Sequence, residues 1–212
     1  MPPDPIRDAV EWVRGGGLLA YPTETVWGLG ADARSGSALQ RLARWKGRSS
    51  DAPISILVGA LDDLGGLGFA VDEGARRLAG QFWPGPLTLV MPCAGRFAPG
   101  IARRDGAVGV RCSAHPLAAA LARRLAREDV GPITSTSLNR SGAAPLRSRH
   151  DARACCTDGP DTPRMLDVDG AEAGGEREST VVDLTGARPA VLRWGALPAP
   201  VLEPVLKEIT AA

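Results

Sequence analysis

Short apolar runs of β character alternate with longer amphipathic ones, in an order that never settles into a strict β-α-β repeat, and this constrains the fold more than any other feature. Asp4-Pro5 followed by Ile6, Val10 and Val13, then Gly15-Gly16-Gly17, reads as an N-cap, a proline in the first helical turn, an apolar stripe and a glycine stop. Leu18 to Tyr21 is a short buried strand that runs into Pro22. Thr23 to Ala33 has neither helical nor alternating period and is expected as a long loop. Leu39, Leu42 and Ala43 mark a second helix that ends near Lys46-Gly47, and Pro53 to Val58 is β-prone.

Asp72 opens a helix carrying Ala75, Leu78, Ala79 and Phe82, which Pro84-Gly85-Pro86 must terminate because proline cannot continue the backbone ladder. Leu87 to Met91, Ala107 to Arg111 and Pro132 to Leu138 read as strands, with an Ala/Leu helix over His115 to Arg127. Asp158 to Gly175 is the most turn-like stretch, with a weak strand near Met165 to Val168. Val181 to Leu184 and Ala190 to Arg193 close the sheet before a last helix, Pro200 to Ile209. The expectation is one α/β domain over residues 1–212, a twisted mixed sheet flanked by helices.

Glycine (26) and proline (18) make up about a fifth of the 212 residues, and 44% of the chain is apolar, so it can fill a core and is short of the composition of disorder. No stretch approaches the roughly 18 consecutive apolar residues of a membrane span, and Met1 to Arg14 lacks a signal-peptide core, so a cytoplasmic protein without membrane contact is expected. Four cysteines without a C-x-x-C pair and two histidines support neither zinc nor a disulfide framework. The net charge is +1 but uneven: residues 96–153 sum to +7 and residues 154–212 to −5. Such a basic middle can attract phosphates. Only Lys46 and Lys207 among the 25 basic residues are lysine.

Neither glycine motif for phosphate is present: Gly15-Gly16-Gly17 has no P-loop lysine, and Gly28-Leu29-Gly30 lacks a third glycine. Lys46-Gly47-Arg48 instead sets a flexible glycine between two cations, which can converge on one polyphosphate or simply end a helix in solvent. Ser135-Thr136-Ser137-Leu138-Asn139-Arg140-Ser141-Gly142 puts four hydroxyls and an amide at a strand end, suiting either a polar ligand or a capped turn. Arg111 lies inside an apolar run and needs an anion, internal or bound. These signals point to an anionic ligand, with no nucleophile triad.

Tyr21-Pro22-Thr23-Glu24-Thr25-Val26-Trp27-Gly28-Leu29-Gly30, Lys46-Gly47-Arg48, Trp83-Pro84-Gly85-Pro86-Leu87-Thr88, Gly109-Val110-Arg111, the Ser135 to Gly142 run, Ser179-Thr180-Val181-Val182-Asp183 and Leu192-Arg193-Trp194-Gly195 occur in the order seen in YrdC-like proteins. The chain resembles threonylcarbamoyl-AMP synthases of the short, single-domain form. The resemblance implies a YrdC-like fold with an open polar cleft, and a reaction of L-threonine, bicarbonate and ATP to threonylcarbamoyl-AMP and pyrophosphate. It also implies a partner threonylcarbamoyl transferase complex that modifies the adenosine beside the tRNA anticodon, and weak tRNA binding. Lys46 and Arg48 would be the catalytic cations on the ATP phosphates, with Ser137, Asn139, Pro145 and Arg193 completing the nucleotide site. Thr25, Arg111, Ser135 and Ser179 would hold threonine. Mg2+ is expected with the nucleotide, and no protein metal site.

The chain departs from the family's commonest pattern at Ser49, Ala52, Leu57, Leu138, Trp27 and Trp194. Of these, Ala52, Leu57, Trp27 and Trp194 are expected to line or border the pocket and bear on amino-acid selectivity. Two other readings stand beside the synthase: a non-catalytic double-stranded RNA or tRNA-binding module resting on the basic middle segment, and a YrdC-like enzyme acting on a different amine.

Overall fold

The computed structural model describes residues 4–48, 53–157, 159 and 161–211; Ser49 and Ala52 lie outside them. The elements run α1 (Pro5–Arg14), β1 (Leu19–Tyr21), β2 (Gly28–Gly30), α2 (Gly36–Lys46), β3 (Ile56–Val58), α3 (Asp63–Gly66), α4 (Glu73–Phe82), β4 (Leu87–Pro92), β5 (Ala107–Cys112) and α5 (Pro116–Arg127). They continue with β6 (Ile133–Thr134), β7 (Thr136–Ser137), α6 (Arg149–Ala154), β8 (Arg164–Met165), β9 (Thr180–Asp183), β10 (Ala190–Arg193) and α7 (Ala199–Ala211). The helix starts carry the expected chemistry. Asp4, Ser35 and Asp72 each accept a backbone N–H of the first turn, and α2 ends on Gly47 in the left-handed conformation (φ 64°).

The strands divide between two mixed sheets, where a single sheet was expected: β7-β2-β1-β8 and β10-β9-β4-β5-β3-β6. Two local events make the division. The stretch Thr23 to Ala33, expected as a loop, contains β2, which pairs antiparallel with β1 and with β7. The run Pro132 to Leu138 breaks at Ser135, so that β6 pairs with β3 in the large sheet and β7 with β2 in the small one. Ser135 is the joint, its N–H donating to Ser55 O at 2.6 Å.

One face of the large sheet holds the main core: Leu87, Leu89 and Met91 of β4, Val108 and Val110 of β5 and Val182 of β9 meet α2, α4 and α7 through Leu42, Leu78 and Leu202. The period-2 alternation sends the intervening residues to the opposite face. There Leu57 and Ile133 pack under α1 and α5, against Val10, Val13, Leu121 and Leu125. The remainder of that second face, over β9, β4 and β5, carries no helix and presents Thr88, Arg111 and Val181 to a cleft. No helix among the described residues is long and apolar enough to cross a membrane, and the four cysteines are free.

Candidate functional site

The polar part of the second face is the floor of a cleft of about 190 Å3. Strand register sets the floor: Thr88 lies opposite Arg111 on one side and beside Val181 on the other. Gly109 allows Ser55 to lie across β5, since a Cβ there would meet the Ser55 side chain. Gly195 does the same for the exit of β10, where a Cβ would be driven into the Glu178 carbonyl and the Ser179 backbone. These two contacts give the Gly109-Val110-Arg111 and Arg193-Trp194-Gly195 patterns their physical reason.

Six of the ten expected site residues line the cleft: Arg48, Arg111, Ser135, Ser137, Ser179 and Arg193. Arg111 is only 5% exposed. Its Nη2 donates to Thr25 Oγ1 at 2.9 Å and lies 2.8 Å from Glu24 Oε1, while Nε is buried without a partner. Burial alone would raise the Glu24 carboxyl, but the Arg111 charge, together with hydrogen bonds from Arg111 and Ser113, outweighs it and holds the group below the usual carboxylate range. Arg111 therefore has an internal carboxylate partner and still turns part of its guanidinium edge to the cleft.

Arg193, on the edge strand β10, donates from Nε to Ser179 O (3.1 Å) and from Nη2 to Ser179 Oγ (3.3 Å), while Nη1 pairs with Glu178 Oε2 at 3.2 Å. Ser179 Oγ in turn shares a hydrogen bond with Thr88 Oγ1 at 2.8 Å. Arg48 donates to Pro53 O at 3.3 Å.

Four expected residues do not line the cleft. Thr25 is fully buried behind Arg111 and bonds Thr23 Oγ1 at 2.8 Å. Lys46 is buried at the end of α2, and its ammonium donates to Ser137 O (2.6 Å), Asn139 O (3.0 Å) and Asn139 Oδ1 (3.1 Å). An ammonium has three protons, so these acceptors use its full capacity. Burial pushes Lys46 down to about 8, the charge of Arg48 adding to it and Glu178 opposing it. The Asn139 amide is likewise engaged, accepting from Ser137 Oγ (2.7 Å) and donating to Arg140 O (3.1 Å) and Ala143 O (2.6 Å). Lys46 and Asn139 thus shape the turn that presents Ser137. Pro145 is half-buried beyond that turn.

Of the four departures expected to border the pocket, Trp27 lines it. Leu57 shares the face of Arg111 but is buried under α1 and α5 in the second core, and Trp194, just past the end of β10, is 41% exposed away from the lining; Ala52 lies outside the described residues. Leu138 is buried in the main core. Sequence reasoning did not assign Thr23, Ser55, Thr88 or Glu178, which also line the cleft. Thr23 and Thr88 stood inside recognised motifs and Glu178 just before one, whereas nothing marked Ser55.

Neither histidine lines the cleft: His115 Nδ1 accepts from Leu117 N at the start of α5, and His150 is exposed. No group of three or more His, Cys, Asp or Glu that could hold a metal occurs among the described residues. A larger cavity of about 360 Å3 lies beside α1 and β8, but it gathers none of the expected site residues, and Arg153 on its wall pairs with Asp167. Among the described residues, the cleft lining holds three arginines, several hydroxyls and one carboxylate, which can bind and orient anions, with no histidine beside any of the hydroxyls.

The Sua5–YciO–YrdC family model, described as "Telomere recombination", matches residues 11–195. Threonylcarbamoyl-AMP synthase of Pyrococcus abyssi is 39% identical over 207 residues, 96% of this chain and 58% of the relative. The enzyme of the same name from Chromohalobacter salexigens is 38% identical over 181 residues, 85% of this chain and 93% of the relative. Among solved structures, P. abyssi Sua5 complexed with L-threonine superposes with a TM-score of 0.83 at 38% identity, covering 94% of this chain. This chain spans 56% of that one. Escherichia coli YciO shares the fold, with a TM-score of 0.74 at 24% identity, over 92% of this chain and 91% of that one. With the motifs gathered on one cleft and a family model that spans most of its length, the chain belongs to the Sua5–YciO–YrdC family.

Proposed function

We propose that this chain is a threonylcarbamoyl-AMP synthase, converting L-threonine, bicarbonate and ATP to threonylcarbamoyl-AMP, pyrophosphate and water. The observation that carries this reading is the convergence of Arg48, Arg111, Ser135, Ser137, Ser179 and Arg193, from distant parts of the chain, on one cleft. The nucleophile comes from the substrate. The threonine nitrogen, once its ammonium has lost a proton, takes up the bicarbonate carbon with loss of water, and the resulting carbamate oxygen attacks the α-phosphorus as pyrophosphate leaves. Catalysis then needs placement and charge stabilisation, which fixed arginines supply.

Arg111 holds the threonine carboxylate with the edge left free by Glu24 and Thr25, and Ser135 and Ser179 flank it. Arg48 and Arg193 meet the phosphates, and Lys46 holds the turn that carries Ser137 and Asn139, with Pro145 beyond it. ATP arrives as its Mg2+ complex, and the metal belongs to the substrate. The product passes to a transferase that modifies tRNA. The basic middle segment favours RNA binding less than its charge suggests, because Arg103, Arg111, Arg124, Arg149 and Arg153 are all ion-paired. The test is pyrophosphate release with ATP, bicarbonate and each common amino acid. Release that requires both bicarbonate and threonine is expected; equal release without an amino acid refutes the reading.

A further inference from the structure

Resting on that reading, we infer that the side-chain selectivity of the site is set by Thr88 and Val181, which lie in one row with Arg111 across the cleft floor. The register places Val181, Thr88 and Arg111 side by side on β9, β4 and β5, with Leu57 of β3 on the far side of Arg111. The first three line the cleft, while Leu57 is buried in the core. An amino acid whose carboxylate is held by Arg111 can extend its side chain along this row toward Thr88, since Leu57 on the other side is covered by the core. Neighbouring strands are about 4.8 Å apart, roughly the reach from a carboxylate to the atoms beyond the β-carbon. A side chain that starts above Arg111 thus ends over Thr88, with Val181 next.

The two positions differ in chemistry. Thr88 is 3% exposed, and its hydroxyl bonds Ser179 Oγ. Either hydroxyl can donate in that bond, which uses one of the pair's two protons. A hydroxyl has one donor site, so the second proton of the Thr88–Ser179 pair, on whichever oxygen accepts, is left for the ligand. A β-hydroxyl satisfies it, whereas a purely alkyl side chain would cover it and leave a buried donor unmatched. Val181, half-buried, offers a methyl surface beside it. The row is complementary to a side chain that carries one hydroxyl and one methyl.

The test compares threonine, 2-aminobutyrate (no hydroxyl) and serine (no methyl) in bicarbonate-dependent pyrophosphate release, with binding of each measured by calorimetric titration. A site built to pair a hydroxyl discriminates strongly against its absence, and one methyl is worth roughly 10- to 200-fold. Thr88→Val should reduce the threonine-over-2-aminobutyrate ratio in kcat/KM by about 30-fold or more, and Thr88→Ser should retain it. Val181→Ala should reduce the threonine-over-serine ratio by about tenfold. Ratios cancel any loss of folded protein, so a purely structural role would leave them unchanged. If Thr88→Val does not fold, Val181→Ala at its half-exposed position carries the test alone. A wild-type protein that requires threonine, with ratios unaltered in the folded variants, overturns this assignment and leaves the functional reading intact. Release independent of any amino acid overturns both.

Discussion

Replacing Arg111 by leucine tests whether the guanidinium is a structural partner as well as a ligand group. The variant leaves Glu24, with its side chain 19% exposed, facing the site of a lost cation. Removing one member of a buried pair costs about 3 to 5 kcal/mol, and the partial exposure of Glu24, together with its bond from Ser113, places the loss near the lower end, about 3 kcal/mol. At roughly 2 to 4 °C per kcal/mol for a chain of this size, the melting temperature should fall by roughly 6 to 12 °C at pH 7.5. The loss should depend on pH. In the wild type the native Glu24 carboxyl is depressed, so its stabilisation is present above about pH 4.3, its unfolded value, and is lost as pH falls through the lower native value. Without Arg111, burial, the largest influence on this group, is opposed only by the hydrogen bonds from Ser113 and the Glu24 backbone, so the same carboxyl should rise. Ionised Glu24 then opposes folding at neutral pH and ceases to do so when acid protonates it. Urea denaturation of both proteins at pH 7.5 and 4.5 should show the gap narrowing at the lower pH, and Arg111→Leu combined with Glu24→Gln should recover at least half of it. A gap below about 1 kcal/mol, or one that neither pH nor the second substitution alters, refutes the pairing.

Lys46→Met should release the Ser137–Asn139 turn and weaken ATP binding, read by titration. Because native Lys46 lies near 8, below its unfolded value of about 10.4, the unfolded chain holds the proton more firmly across that window. Wild-type stability should thus rise relative to Lys46→Met between pH 8 and 10; a gap constant with pH removes the explanation. Gly195→Ala should cost roughly 1 to 3 kcal/mol through backbone overlap with Glu178 and Ser179 and should raise the KM for threonine, both absent if the strand exit simply moves aside. Arg193→Gln loses the Ser179 and Glu178 contacts as well as a phosphate partner. Its KM should therefore rise for threonine as well as ATP, and a change confined to ATP would show that Arg193 does not support the amino-acid end.

The parts of this fold legible in one dimension are those decided locally. Helix starts at Asp4 and Asp72 and the stop at Gly47 depend on one capping residue or one left-handed glycine, and each stands where the chemistry of that residue puts it. Strand β2 was not legible because Gly28-Leu29-Gly30 has no side-chain period. The Tyr21 ring packs where Cβ atoms at Gly28 and Gly30 would be, so this strand exists through its partner and not through its own residues. The break at Ser135 was hidden for a similar reason, since a run of threonines and serines suits either sheet and only Ser55 O and the two partner strands decide which half goes where.

The same division explains the site. Arg111 announced itself as a cation in an apolar strand and Ser135 and Ser137 as part of a dense run of hydroxyls, whereas Ser179 and Arg193 carried no signal of their own and were assigned through the resemblance of their motifs. Whether such a group faces a ligand or another residue is a property of the opposing strand. Lys46 shows the difference: its position and type suit a phosphate contact, yet three carbonyl-type oxygens from the Ser137–Asn139 segment take its protons. Those oxygens lie there only because the chain leaves the large sheet at Ser135 and runs through β7 past the end of α2. The cleft thus follows from the joint between the sheets. The crossing that sends β7 to β2 delivers Ser135 and Ser137 to the rim, and opposite them the alternation of β9, β4 and β5 turns Val181, Thr88 and Arg111 toward the opening. A one-residue slip of β4 against β5 would exchange Thr88 for Leu87 or Leu89 and remove the polar floor. Site chemistry and strand register are therefore one constraint, and a substitution that shifts the register would abolish binding without touching a ligand-contacting residue.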